Sequence, residues 1–112
     1  MPPRDWRLRV EDILEAINKI DAYTRGMTEE SFAGDSKTVD AVIRNLEIIG
    51  EASRHFDDSV LAATPQLPWD KMRGLRNVVA HEYFGVDVAI IWHTAKNDLP
   101  PLEAPLRRLL DE

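Results

Sequence analysis

Apolar residues recur at intervals of three and four along most of the chain, the spacing of one face of an α-helix. The first such stretch predicts a helix from Asp5 to about Arg25, with Asp5 as its N-cap and Gly26 as its stop. A short turn then begins at Thr28, with Phe32 as its apolar anchor. The inner face of the first helix is formed by Val10, Ile13, Leu14, Ile17 and Ile20.

A second long helix is predicted to begin at Asp35 or Ser36 and to run to about Phe56. Gly50 lies inside it and costs roughly 1 kcal/mol relative to alanine. Close packing of another helix on Gly50 is the simplest reason for that residue. The inner stripe of this helix consists of Val39, Val42, Ile43, Leu46, Ile49, Ser53 and Phe56.

The remaining half of the chain is divided by prolines and glycines. The segment SVLAAT predicts a short helix, and the prolines of TPQLPW break regular structure after it. A third main helix begins near Pro68 and continues to Gly85, and a fourth follows from Asp87 as its N-cap. Pro100 and Pro101 interrupt that helix before a final short helix rich in leucine.

No stretch alternates apolar and polar residues with turn signals, so no sheet is expected. There is also no repeat and no linker long enough to divide the chain. We therefore predict a single domain over residues 1–112. Its class is all-α, an up-and-down bundle of four to five main helices with additional short ones.

Composition narrows the picture further. The 112 residues are 44% hydrophobic and 30% charged, which is typical of a globular domain. The absence of cysteine excludes disulfides and thiolate metal sites. The start, MPPRDWRLRV, lacks the apolar run of a signal peptide, and no segment approaches the roughly 20 apolar residues of a membrane span, so a cytoplasmic protein without membrane contact is expected. The net charge of -6 argues against extended nonspecific duplex binding but leaves room for a local phosphate site.

The third helix carries four polar residues that core formation does not require: Arg76, Asn77, His81 and Tyr83. On an ideal helix Asn77 and His81 share a face, whereas Arg76 and His81 lie about 140° apart. A histidine can transfer a proton near neutral pH and an arginine can hold a phosphate, a pair suited to metal-free cleavage of RNA. An arginine and a histidine at this spacing also occur often as structural polar residues, so both interpretations stay open.

Other charged residues could support such a site. Glu51 can pair with Arg76 or Arg44 across the bundle and fix its side chain, which would be a supporting role. Arg44 with Glu47 and Glu51 predicts an internal ion-pair network. Asn77 could orient His81 or bond a phosphate oxygen.

Four further side chains have two interpretations each. Lys71 and Arg73 could guide RNA phosphates or be solvated helix charges. His55 is interpreted as a cation favoured by the C-terminal end of its helix rather than as a site residue, and His93 as a surface or interface imidazole rather than as a second catalytic one. The tryptophans Trp69 and Trp92 are expected to be packing anchors.

The segment MRGLRNVVAHEYFGVD resembles the signature of the HepT-like toxins of the HEPN superfamily, Arg-x4-His-x-Tyr with a polar residue after the arginine. Here the motif residues are Arg76, Asn77, His81 and Tyr83. The segments AVIRNLEIIGEASR, PWDKMRGLRN and IIWHTAKNDLPPL resemble other helices of that family. The resemblance therefore extends over nearly the whole chain in the expected order.

The resemblance implies a homodimer in which the motif helices of two subunits meet at a cleft, so that Arg76 of one subunit works with His81 of the other. It implies a metal-independent endoribonuclease without cofactor, the toxin of a toxin–antitoxin pair, with Arg76 and His81 catalytic and Asn77 supporting them. The implied partner is an MntA-like nucleotidyltransferase antitoxin that adenylylates Tyr83. Two alternatives are a noncatalytic HEPN partner of a nucleotidyltransferase and a purely structural dimeric bundle.

Overall fold

Two long helices, α1 (Trp6–Thr24) and α3 (Ser36–Ala52), pack against each other at the centre of the molecule. The computed structural model describes residues 6–77 and 88–111. The shorter helices are α2 (Glu29–Ala33), α4 (Asp58–Ala63), α5 (Trp69–Arg73), α6 (Val88–His93) and α7 (Glu103–Leu110). A π-helical turn (Thr94–Asp98) and a 3-10 turn (Pro100–Leu102) connect α6 to α7. The described ranges contain no strand, which confirms the all-α class.

The first helix was predicted from Asp5 to about Arg25, and within the described residues α1 spans Trp6–Thr24. Asp5, its predicted N-cap, lies outside the described residues. Helix α1 ends at Thr24, whose hydroxyl donates to the carbonyl of Ile20 at 2.9 Å. Gly26 then adopts a positive φ of 78°, a backbone conformation that glycine reaches without strain. Helix α2 begins with a reciprocal capping box in which the side chains of Thr28 and Ser31 each accept the other's backbone N–H.

Helix α3 ends at Ala52, so the prediction that it continues to about Phe56 is wrong. The reason is the start of α4. The backbone of Asp57 is extended, and its carboxylate accepts the N–H of Val60 at 3.1 Å as an N-cap. Phe56 leaves the helix and is still buried, because its ring packs against Trp69 with a centroid distance of 4.6 Å.

The core lies between α1, α3 and the C-terminal helices. Trp69 is buried and donates its indole N–H to the hydroxyl of Thr64 at 2.9 Å. Trp92 stacks at a tilt on buried Phe32, with 5.3 Å between ring centroids. Both tryptophans are therefore packing anchors, as predicted. Fully buried side chains in this core include Val10, Ile13, Val42, Leu46, Ile49 and Leu106.

The third predicted helix is interrupted within the described residues. Pro68 occupies the N-cap of α5 rather than its first turn, and α5 ends at Arg73. Gly74 caps it, with its N–H on the carbonyl of Asp70 at 3.0 Å, and residues 75–77 then form a further helical turn. Glycine has a low helix propensity, so an interruption of the helix at Gly74 costs little free energy. The predicted end of this helix at Gly85 lies outside the described residues.

The fourth predicted helix changes its winding after His93. The N–H of Leu99 donates to the carbonyl of Thr94 at 3.1 Å, a bond across five residues that defines the π-helical turn. This wider turn places Thr94 and Leu99 together on the buried side. The predicted proline interruption is confirmed, because Pro100 begins the 3-10 turn. Asp87, the predicted N-cap, lies outside the described residues. None of the helices in the described ranges is both long and apolar enough to traverse a lipid bilayer.

Candidate functional site

The last turn of α3 packs directly against the turn that carries Arg76. A Cβ atom added at Gly50 would lie 2.7 Å from Cγ of Arg76 and 3.2 Å from its backbone nitrogen. The first distance is shorter than real Cβ contacts, and the second is tight. The prediction that Gly50 permits close packing is thus confirmed, and its neighbour is the motif arginine itself.

Glu51, the next residue of α3, contacts the guanidinium of the same arginine. Arg76 Nη1 lies 3.3 Å from Glu51 Oε2. Of the two partners that the sequence left open for Glu51, the structure places Arg76 beside it. The side chains are 48% and 51% exposed, so the guanidinium is anchored on one side and accessible to solvent on another.

Two more basic side chains converge on the Glu51 carboxylate. The Nε2 atom of His55 lies 3.1 Å from Oε1, and Arg54 Nη1 lies 3.8 Å from Oε2. The hydrogen bond from His55 lowers the pKa of Glu51 below its usual value, with partial burial opposing it and the charges of Arg76 and Arg54 adding to it. Glu51 is therefore ionised at neutral pH. We call Glu51, Arg54, His55 and Arg76 the Glu51 cluster.

The sequence interpretation missed the place of His55 in this cluster. It assigned His55 to the end of the α3 helix, where a cation is favoured by the helix dipole. The signal that could have found it is the four-residue spacing from Glu51 to His55, which places the two side chains on one helical face. That spacing is common, and only the additional contact with Arg76 links it to the motif.

Arg44 does not join the cluster in the way that the sequence predicted. It approaches Glu47 at 3.7 Å, and the two side chains are 73% and 43% exposed. The inner face of α3 is occupied by the apolar residues Val42, Leu46 and Ile49, so this pair is turned toward solvent. The predicted contact of Arg44 with Glu47 is confirmed. The prediction of an internal network is wrong, because this pair is on the surface, where it has little energetic value.

The remaining described site residues lie on α5 and the turn after it. Arg73 pairs with Asp70 on its own helix, and Lys71 is exposed. Asn77 is exposed and its backbone N–H donates to the carbonyl of Gly74 at 2.9 Å. Arg73 and Asn77 thus lie close to Arg76 along the chain.

A cavity of about 640 Å³ lies between α5 and the C-terminal turns. Its lining is mostly apolar, with Met72, Leu75, Leu99 and Leu102 among the residues that form it. Lys71 is at the same cavity. This volume is typical of small-molecule pockets.

His81 and Tyr83 lie outside the described residues, so their predicted roles remain predictions. His93 is exposed, with Nδ1 3.1 Å from the amide nitrogen of Asn97 and Nε2 3.9 Å from Asp98. That position fits the predicted surface imidazole. Within residues 6–77 and 88–111, no three His, Asp or Glu side chains converge as a metal-ligand set would.

These features define an all-helical domain in which a glycine and a carboxylate of one helix hold an arginine on a neighbouring turn. The chain belongs to the HepT-like family, whose model, described as "Ribonuclease HepT-like", matches residues 13–109. It is 45% identical over 100 residues to "Probable ribonuclease HepT" of Thermococcus cleftensis, covering 89% of this chain and 91% of that protein.

Two further relatives have names of the same kind. "Putative RNase MJ1380" of Methanocaldococcus jannaschii is 39% identical, with coverage of 92% of this chain and 94% of the relative. "Putative RNase TTE0752" of Caldanaerobacter subterraneus subsp. tengcongensis is 33% identical, with coverage of 92% of each chain. No solved structure gives a significant match to the sequence.

Proposed function

We propose that this protein is a metal-independent endoribonuclease and the toxin of a toxin–antitoxin pair. Membership of the HepT-like family and the ribonuclease names of the relatives support an RNA-cleaving activity. The observation that carries the proposal is the anchoring of Arg76. Its guanidinium is held by Glu51 at 3.3 Å, yet about half of the Arg76 side chain is exposed to solvent and so accessible to a ligand.

The proposed reaction is an attack of the RNA 2′-hydroxyl on the adjacent phosphorus. A base removes the 2′-hydroxyl proton as the new bond between the 2′-oxygen and phosphorus forms. The bond from phosphorus to the 5′-oxygen breaks, and that oxygen leaves with a proton supplied by an acid, so the products are a 2′,3′-cyclic phosphate and a free 5′-hydroxyl. His81 is the proposed base or acid, because a histidine exchanges protons near neutral pH.

Arg76 would act on the charge that grows on the phosphoryl oxygens. A guanidinium carries five N–H donors, and the 3.3 Å contact with Glu51 is made through Nη1. Donors held in place before the reaction stabilise such charge without a reorganisation cost. Glu51 is thus a supporting residue that fixes Arg76, Asn77 supports the same site, and Lys71 and Arg73 guide neighbouring RNA phosphates.

The proposal includes a homodimer and a nucleotidyltransferase antitoxin of the MntA-like type. In the dimer, Arg76 of one subunit would meet His81 of the other, which removes the difficulty of their 140° separation on one ideal helix. The antitoxin would adenylylate Tyr83, two residues after His81. An added AMP brings bulk and negative charge to the place where an RNA phosphate should bind.

The test is cleavage of total RNA by purified protein, with and without a chelator. We expect chelator-resistant cleavage that leaves cyclic-phosphate ends, and loss of both cleavage and growth inhibition in Arg76→Ala and His81→Ala. Arg107→Ala is the matched control, because Arg107 is an exposed arginine whose partner is Glu103 at 2.8 Å on α7. Retained cleavage in the Arg76 or His81 variant would refute the site assignment.

The same experiment separates the noncatalytic alternative. A protein that binds nucleotide without cutting RNA would be a binding partner of the nucleotidyltransferase rather than a nuclease. Coexpression with a nucleotidyltransferase and ATP, followed by mass spectrometry of the wild type and Tyr83→Phe, tests the modification. The expected mass increase is that of one or more AMP groups on the wild type alone.

A further inference from the structure

The Glu51 cluster gathers more positive charge than its carboxylate can offset. Glu51 contacts two guanidinium groups, from Arg54 and Arg76, and one imidazole, from His55. With His55 neutral the cluster carries one excess positive charge, and with His55 protonated it carries two. This surplus is local, since the whole chain has a net charge of -6.

We propose that Arg54 and His55 extend the Arg76 site into a phosphate-binding surface for RNA. This inference rests on the proposed function and adds two phosphate-binding side chains that the Arg-x4-His-x-Tyr motif does not contain. Both guanidinium groups approach the same oxygen, Oε2 of Glu51, at 3.3 and 3.8 Å. They are therefore close enough to contact one phosphate or neighbouring phosphates of a single strand.

Accessibility supports a binding role for these two residues. The side chains of Arg54 and His55 are 53% and 45% exposed, so a phosphate can reach them without any movement of the core. A guanidinium can bind a phosphate with two parallel hydrogen bonds. The carboxylate would keep the cationic side chains oriented while the anion binds on their outer side.

His55 lies beside the two guanidinium groups in this surface. Its Nε2 atom lies 3.1 Å from Oε1 of Glu51, so a proton on Nδ1 would add both a positive charge and a second donor for the phosphate. The charged groups around it are Glu51, Arg54 and Arg76 in the cluster, with Asp57 nearby in sequence and occupied by Ser59 and the N–H of Val60.

The test uses a short single-stranded RNA with 2′-O-methyl groups, which binds but cannot be cleaved through its 2′-oxygen. Binding is measured by fluorescence anisotropy at pH 6 and pH 8.5 over a series of salt concentrations. The variants are Arg54→Ala, His55→Ala and His55→Gln. The glutamine can still donate to Glu51 but cannot carry charge, so it separates positioning from phosphate binding.

Arg54→Ala should weaken binding about five- to tenfold at both pH values, as expected for loss of one charge-assisted contact. It should also reduce the slope of log K against log salt by about 0.7, the value for one phosphate contact on a single strand. Both His55 variants should lose about fivefold in binding at pH 6.

Arg107→Ala and His93→Ala are the matched controls, because each removes an exposed basic side chain that lies near a carboxylate elsewhere in the chain. Circular dichroism melting verifies that every variant is folded. If the Arg54 and His55 variants bind like these controls while the wild type cleaves RNA, the inference is wrong and the proposed function stands. If the wild type does not cleave RNA but binding depends on Arg54 and His55, the nuclease proposal fails and the phosphate surface stands.

Discussion

Gly50→Ala is the substitution that most directly tests how α3 fixes the motif arginine. Its new Cβ would lie 2.7 Å from Cγ of Arg76 and 3.2 Å from the Arg76 backbone nitrogen. The side chain can rotate away from the first contact, but the backbone nitrogen can give only if the whole turn shifts. Either response alters the 3.3 Å contact between Arg76 and Glu51.

Two opposing terms set the effect on stability. Alanine is favoured over glycine by about 1 kcal/mol within a helix. Forcing an extra methyl into a packed contact costs about 1–3 kcal/mol. The free energy of unfolding should therefore fall by no more than about 2 kcal/mol, and the variant should remain folded. RNA cleavage should fall much further, by about 10- to 100-fold, because Arg76 is the proposed catalytic group and small displacements of such a group are costly.

The assay compares cleavage of a fluorescent RNA with urea-induced unfolding of the same preparations. Gly34→Ala is the matched control, since a Cβ at Gly34 meets only ordinary contacts at 3.6 and 3.8 Å. It should leave cleavage within about twofold of the wild type. Cleavage by Gly50→Ala within threefold of the wild type would refute the view that this contact fixes Arg76. A loss of cleavage matched by global unfolding would also refute it.

Three further predictions concern charge, capping and packing. The pKa of Glu51 is lowered by the hydrogen bond from His55 and then by the charges of Arg76 and Arg54. The ionised Glu51 therefore stabilises the fold above the usual pKa of 4.5, and this stabilisation is lost as the pH falls through the lower pKa of the folded state. Thermal melts from pH 7 to pH 3 should therefore show a smaller decrease for Glu51→Gln than for the wild type, and equal decreases would contradict the reasoning. Asp57→Ala removes the N-cap of α4 and should lower the free energy of unfolding by about 1 kcal/mol in urea titrations, with Asp58→Ala, one residue into the helix, as the comparison. Trp69→Phe loses the buried hydrogen bond to Thr64 and should cost about 1–3 kcal/mol in the same titration, and an unchanged midpoint would show that the bond contributes nothing.

Local chemistry explains which elements could be predicted from the sequence. The end of α1 was predictable because Gly26 supplies a positive φ that other residues adopt only at a cost. The break at Pro100 was predictable because proline lacks the N–H that a continuing helix needs. Each of these signals is encoded in one residue and does not depend on what packs against it.

The elements that differ from prediction depend on tertiary packing. The π-helical turn from Thr94 brings Thr94 and Leu99 to the buried side, and the spacing of apolar residues alone does not predict such a turn. The end of α3 depends on where α4 begins, since the extended backbone of Asp57 takes the chain out of the helix. In the site, His55 approaches the motif only through Glu51, a contact between α3 and the turn of Arg76 that no spacing along one helix reveals.

The pair Gly50 and Glu51 changes how the motif should be understood. If Arg76 and His81 acted together within one helix, they would have to meet from faces about 140° apart. In the structure, Arg76 is positioned from outside its own helix, by the missing side chain of Gly50 and the carboxylate of Glu51. Its direction is therefore fixed by α3, whatever His81 does. It follows that the proposed reaction needs a histidine brought to a prepared arginine, and a second subunit could supply that histidine without any distortion of the helix that carries Arg76.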